Sequence, residues 1–178
     1  MGRASELTSL AIAALAALAP TAAFADPASV IVTVEQDLRF GRFAVPSGGS
    51  RTVTPAGAVI TTGLLPFPGE PTGPARVTIL FDRGNESRRS IDVLLQVMIV
   101  APQNFVQGGI TGTLSGLATD LAGAGGAGQT VTLTISGCQE RRCSRSFNVG
   151  GRIDITRASS GGSVRVPLSA TATILQVK

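Results

Sequence analysis

Residues 37–57 read DLRFGRFAVPSGGSRTVTPAG, and this stretch decides the fold class. Leu38 and Phe40 alternate with polar neighbours, and Phe43 and Val45 alternate again on the far side of Gly41-Arg42. The period of two belongs to a strand. The phase breaks at a glycine, which predicts a β-bulge or sharp bend at Gly41, with Phe40 and Phe43 entering the core from either side of it. Ser47-Gly48-Gly49-Ser50 then turns the chain into a second short strand, and Pro55-Ala56-Gly57 turns it again. Glycine supplies positive φ at such turns and proline a fixed φ. Two strands and two tight turns within 21 residues predict an antiparallel β domain.

The same pattern extends in both directions. Val30, Val32 and Val34 share one face of a strand over residues 28–34, with Ile31 and Thr33 on the other. Val77, Ile79 and Phe81 restore the alternation, and residues 91–100 form the most hydrophobic run, read as a central strand because of its β-branched content and the Pro102 that follows. Between them, residues 82–90 read as a charged hairpin connection. Residues 64–74 hold four prolines and two glycines and read as an ordered surface loop. Residues 108–128 hold eight glycines, with a short strand at 110–114, and read as the softest part of the chain. Val131, Leu133 and Ile135 alternate with threonines, one face for a core and one for water. Phe147, Val149, Ile153 and Ile155 share a face around Gly150-Gly151, a turn is expected at 159–163, and residues 164–174 read as the longest strand, with a phase shift at Leu175. Eight to ten such strands predict an all-β fold, a two-sheet antiparallel β-sandwich with immunoglobulin-like or jelly-roll connectivity.

The first 25 residues are set apart from this domain. Arg3, an Ala/Leu-rich run over residues 7–19 and Ala23-Phe24-Ala25 before Asp26 make a secretory signal peptide with cleavage between Ala25 and Asp26. The apolar run stops at Pro20, too short to span a bilayer. Cleavage leaves 153 residues, one domain with a core of its own and no later membrane span. An outer-membrane barrel would carry aromatic girdles, and this chain has neither Trp nor Tyr. The expected destination is the periplasm, cell surface or medium. Cys138 and Cys143, close together in a chain bound for an oxidising compartment, read as a disulfide around residues 139–142. A metal site is the competing reading, and two thiols with no His and no second Cys pair do not complete the usual zinc set.

Catalytic chemistry finds little support. The chain has no His and a single Lys, Lys178, which removes the usual bases for a Ser or Cys nucleophile. The ten carboxylates beyond residue 25, Asp26, Glu35, Asp37, Glu70, Asp82, Glu86, Asp92, Asp120, Glu140 and Asp154, read as solvated groups in turns and at strand ends rather than as a glycosidase pair. Asp82, Asn85 and Glu86 match no calcium-loop spacing and read as a charged tip. The Arg88-Arg89 and Arg141-Arg142-Arg145 clusters suit an anionic surface, while nucleic acid is a poor fit for a chain without paired aromatic platforms. Residues 122–128 lack the strand, Lys and helix of a phosphate loop. No catalytic residue, cofactor or metal is expected.

Leu38-Arg39-Phe40-Gly41, the Gly48-Gly49 turn, Thr52-Val53-Thr54-Pro55-Ala56-Gly57 and the late Phe147-Asn148-Val149-Gly150-Gly151 block, in this order and spacing, resemble the domain-of-unknown-function family 4402 over residues 30–177. The resemblance implies an exported bacterial β-sandwich related to fimbrial and adhesin subunits, with no catalytic residues to carry over. Residues 161–166 lack the aromatics of the family pattern, and the Cys138 to Cys143 loop looks like an addition.

These readings lead to a non-enzymatic structural or adhesion protein that pairs with itself or with other exported subunits through β-strands. In its specific form, residues 28–34 (Val30, Val32, Val34) fill the groove of a neighbour beside a strand such as residues 164–174 (Val164, Val166, Leu168). The alternative is a self-contained secreted monomer that binds surface glycan or protein; an enzyme ranks third. Whether the N-terminal strand pairs within its own sheet separates the first two.

Overall fold

A computed structural model describes residues 26–121, 130–158 and 161–178. Residues 1–25, where the signal peptide and Ala25 are expected, the glycine-rich residues 122–129 and part of the expected turn, residues 159 and 160, lie outside the described residues.

In chain order the strands are β1 (Ser29–Gln36), β2 (Leu38–Ala44), β3 (Gly49–Val53), β4 (Val59–Thr62), β5 (Leu65–Gly73), β6 (Ala75–Asp82), β7 (Ile91–Val100), β8 (Asn104–Gln107), β9 (Ile110–Thr119), β10 (Thr130–Cys138), β11 (Arg142–Ala158), β12 (Gly162–Val166) and β13 (Ser169–Val177). All pairings are antiparallel. A seven-stranded sheet runs β1-β6-β11-β3-β4, with β9 also on β11 and β8 on β9; two three-stranded sheets run β10-β7-β13 and β12-β2-β5. The fold class expected from the sequence is therefore the one observed, an all-β sandwich, with one layer divided in two.

The large sheet is organised by β11. Its first half, from Arg142 to Val149, pairs with β6; from the second glycine of the pair onward, Gly151 to Ile155 takes β3 on the same edge while β9 occupies the other. Gly150 and Gly151 are buried where these strands converge, and a Cβ on Gly150 would lie 2.7 Å from the Pro55 nitrogen. The core between the layers collects Phe40, Phe43, Phe81, Ile79, Leu95, Leu133 and Ile153. Alternation does the sorting: Val131, Leu133 and Ile135 are buried on β10 while Thr130 and Thr132 face out.

The bend in β2 is a bulge. Val164 lies opposite Gly41 and Arg165 opposite Arg39, so Phe40 is the extra residue, and Gly41 has φ of 69°. Phe40 and Phe43 are both fully buried, from either side of it.

Four expectations are corrected. Residues 164–174 are two strands in different sheets, β12 on β2 and β13 on β7, separated by Pro167-Leu168; β11, at 17 residues, is the longest strand. The proline-rich stretch forms β5, an edge strand on β2, because proline is tolerated where only one side is paired. Residues 82–90 cross from the large sheet to β7 rather than closing a hairpin. The strand expected at 110–114 runs on to Thr119.

Candidate functional site

A strand paired on one side only offers free N–H and C=O groups to another chain, and proteins block such edges with prolines, charged side chains, shortness or capping contacts. Among the described residues, seven strands end their sheets. β4 and β8 have four residues each. β5 carries Pro66, Pro68 and Pro71. On β12 the Gln107 side chain substitutes for a neighbouring strand: its Nε2 donates to the Arg165 carbonyl at 2.6 Å and its Oε1 accepts from the Arg165 N–H at 2.9 Å. On β10 the Arg145 guanidinium donates to the Thr134 carbonyl.

The two terminal strands carry no such device. β13, SATATILQV, has no charge and no proline; β1, SVIVTVEQ, has only Glu35, near its end. They pack beside one another at one flank without pairing, as the edges of two different sheets. Val30, Val32 and Val34 from β1 and Ala170, Ala172 and Ile174 from β13 are half-buried against the core along this flank. Ile31, Leu175 and Val177 stand about half exposed on it. The phase shift expected at Leu175 is present as a register break between Ile174 and Gln176.

The sequence placed Val30, Val32, Val34, Val164, Val166 and Leu168 in one candidate pairing surface, and the structure separates them. β1 is paired in its own sheet, Ser29 opposite Asp82 through Gln36 opposite Arg76. Val164, Val166 and Leu168 are core residues of the opposing layer. The strand beside β1 is β13.

The charged residues converge at the end of the sandwich where β1 begins. Asp82 accepts from Arg142 Nε at 2.9 Å, Gly84 N–H at 2.9 Å and Arg141 Nε at 3.2 Å. Arg141 also pairs with Asp26 at 3.1 Å and Glu86 at 3.3 Å. The Arg142 and Gly84 hydrogen bonds, reinforced by Arg141, hold the Asp82 carboxyl down at about 2, and the Asp82 hydrogen bond raises Arg141 in turn. Asp154 is held low by Arg152 and Ser115. Carboxylates stabilised as anions are poor general acids. Arg83 shapes the neighbouring loop by donating to the Ser87 and Arg89 carbonyls, which leaves Arg88 and Arg89 exposed. Cys138 and Cys143 are disulfide-bonded, with Cα atoms 5.9 Å apart. The bridge joins the end of β10 to the start of β11 and so ties the two layers together.

Arg51 follows the Gly48-Gly49 turn, on β3. It shares the inward face of β3 with Val53, is 7% exposed, and lies over the Phe43 ring at 5.6 Å. Its Nε and Nη1 are buried with no hydrogen-bond partner, and burial lowers its affinity for the proton.

Among the described residues no helix is long and apolar enough to cross a membrane. No curated protein and no solved structure matches the chain. The family model described as Domain of unknown function (DUF4402) matches residues 30–173, which include the Gly41 bulge, the β3–β4 hairpin and the Gly150-Gly151 convergence. The chain belongs to the DUF4402 family.

Proposed function

We propose that the protein is an exported, non-enzymatic structural or adhesion subunit that engages partners by strand addition along the β1/β13 flank. The observation that carries the reading is the contrast among edges: the outer strands elsewhere are short, proline-bearing or capped, and the two without proline or cap, β1 with a single charge near its end and β13 with none, lie together at one flank. The absence of His, and carboxylates displaced only towards the anionic form, favour a binding role over acid–base chemistry. The disulfide fits an oxidising compartment.

The cis pairing of β1 with β6 favours a sandwich complete in itself. A partner strand therefore extends the fold rather than finishing it, unlike the groove-filling form in which residues 28–34 serve a neighbour. Sedimentation of the purified protein over a concentration series tests this, alone and with the co-exported proteins it meets. Concentration-dependent association that is abolished by Ile31→Lys together with Leu175→Lys, at unchanged melting temperature, is the expected result. A protein that stays monomeric throughout and captures the same partners with and without these lysines refutes it.

A further inference from the structure

The bulge in β2 also opens a depression on the outer face of the β12-β2-β5 sheet. Opposite Gly41, β5 departs from its ladder: Phe40 faces Thr72 and Arg42 faces Phe67, so Pro68, Gly69, Glu70 and Pro71 arch past a single β2 residue. On the other side β12 skips Phe40. The result is a concavity of about 270 Å³, lined by Arg39 and Gly41 from β2, Glu70 and Pro71 from the arch, and Ser163, Val164 and Arg165 from β12. This is near the lower end of the roughly 300–1,000 Å³ typical of small-molecule sites. Arg165 is committed to Asp37 at 2.8 Å. Arg39 and Glu70 are not: they line the same depression without forming an ion pair, and neither side chain has a hydrogen-bond partner among the described residues.

We propose that this depression is a saccharide site taking one polyhydroxylated ring, held by Arg39 donating to ring oxygens and Glu70 accepting from ring hydroxyls. Opposite charges kept apart across a cavity suit a ligand that both donates and accepts. A simple anion meets Glu70, and a simple cation meets Arg39. The Ser163 hydroxyl adds a group of either sense, and the Pro71 ring offers an apolar wall for the C–H face of a sugar. The arch holds the walls open, because two of its four residues are prolines without an N–H to pair. The site is independent of the β1/β13 flank and stands or falls apart from strand addition.

The test is an amide-resolved NMR titration of the protein with glucose, with glucuronate and, as a zwitterionic control, with glycine. Saturable shifts confined to Arg39, Gly41, Glu70, Ser163 and their neighbours, with either sugar, are expected; a response to glucuronate alone assigns the site to acidic sugars. Arg39→Gln and Glu70→Gln, which retain the dispersed spectrum, should each weaken binding about tenfold, as for loss of a charged hydrogen bond. Shifts elsewhere, no saturable shifts, equal binding of glycine, or affinity unchanged in both variants overturns the proposal.

Discussion

Replacing Arg51 by methionine should make the protein more stable. The Nε and Nη1 groups are buried without acceptors, in a side chain only 7% exposed. Each unsatisfied buried donor costs about 1–3 kcal/mol, more when charged. The stacking of the guanidinium on Phe43 at 5.6 Å returns about 0.5–2 kcal/mol. Methionine keeps an unbranched stem of similar reach and a sulfur that packs well against an aromatic ring, so the apolar contacts survive while the desolvated charge is removed. The net gain is about 1–4 kcal/mol, which for a domain of this size raises the melting temperature by about 2–4 °C per kcal/mol. Denaturant unfolding of the wild type, Arg51→Met and Arg51→Lys measures it. The midpoint should rise for Met at unchanged slope and fall for Lys, which keeps the charge and loses the planar stack. A lower midpoint for Arg51→Met refutes the reasoning, because it would mean that the guanidinium contributes more through its surroundings than it loses by burial.

Gly41→Ala should destabilise by about 2–4 kcal/mol, combining the left-handed backbone of Gly41 with a Cβ that collides with Thr72 Oγ1; a near-wild-type unfolding midpoint would remove the bulge from the argument. Asp82 has its carboxyl depressed from 3.8 to about 2, so its ionised form adds stability that is complete above the unfolded value and lost as pH falls through about 2. Asp82→Asn should therefore be less stable than wild type at neutral pH, and the gap should narrow in melting curves taken from pH 5 towards pH 2. Reducing the Cys138–Cys143 bond, which closes a short loop, should cost about 2 kcal/mol by loop-closure entropy, read as a lower midpoint in reductant that a Cys138→Ala/Cys143→Ala variant reproduces without it.

Local chemistry made much of this fold readable. Gly41 broke the strand phase in the sequence and bulges in the structure, and the alternating threonines of β10 mark its outward face as period two requires. What was not readable was which sheet a strand enters. Even-numbered residues point inward on both β12 and β13, so one unbroken alternation ran across Pro167 and concealed a change of layer. The prolines of β5 argued against pairing only for a strand with neighbours on both sides, and edge position is a tertiary fact. The arginine partners of Asp82 lie 59 and 60 residues along the chain, with no local signal. Arg51 did leave a signal, since it stands two residues from Val53 and so shares its face. The candidate pairing surface was half legible: the N-terminal strand was recognised, while β13 was merged with β12, and the pairing of β1 with β6 and its nearness to β13 arise from long-range closure.

The position of β11 dictates when the molecule can fold. As synthesis proceeds from the N-terminus, β1 can meet β6, β3 can meet β4 and β8 can meet β9, but these three pieces share no partner until residues 142–158 arrive. A chain halted before Arg142 holds the large sheet as three separate ribbons with their central edges bare, beside the β2–β5 and β7–β10 pairs of the other two sheets. Folding is therefore a late, non-local event, slow in the manner of sheets built from distant segments. Until the last fifth of the chain emerges, the edges of β3, β6 and β9 that β11 will cover are open to any other strand.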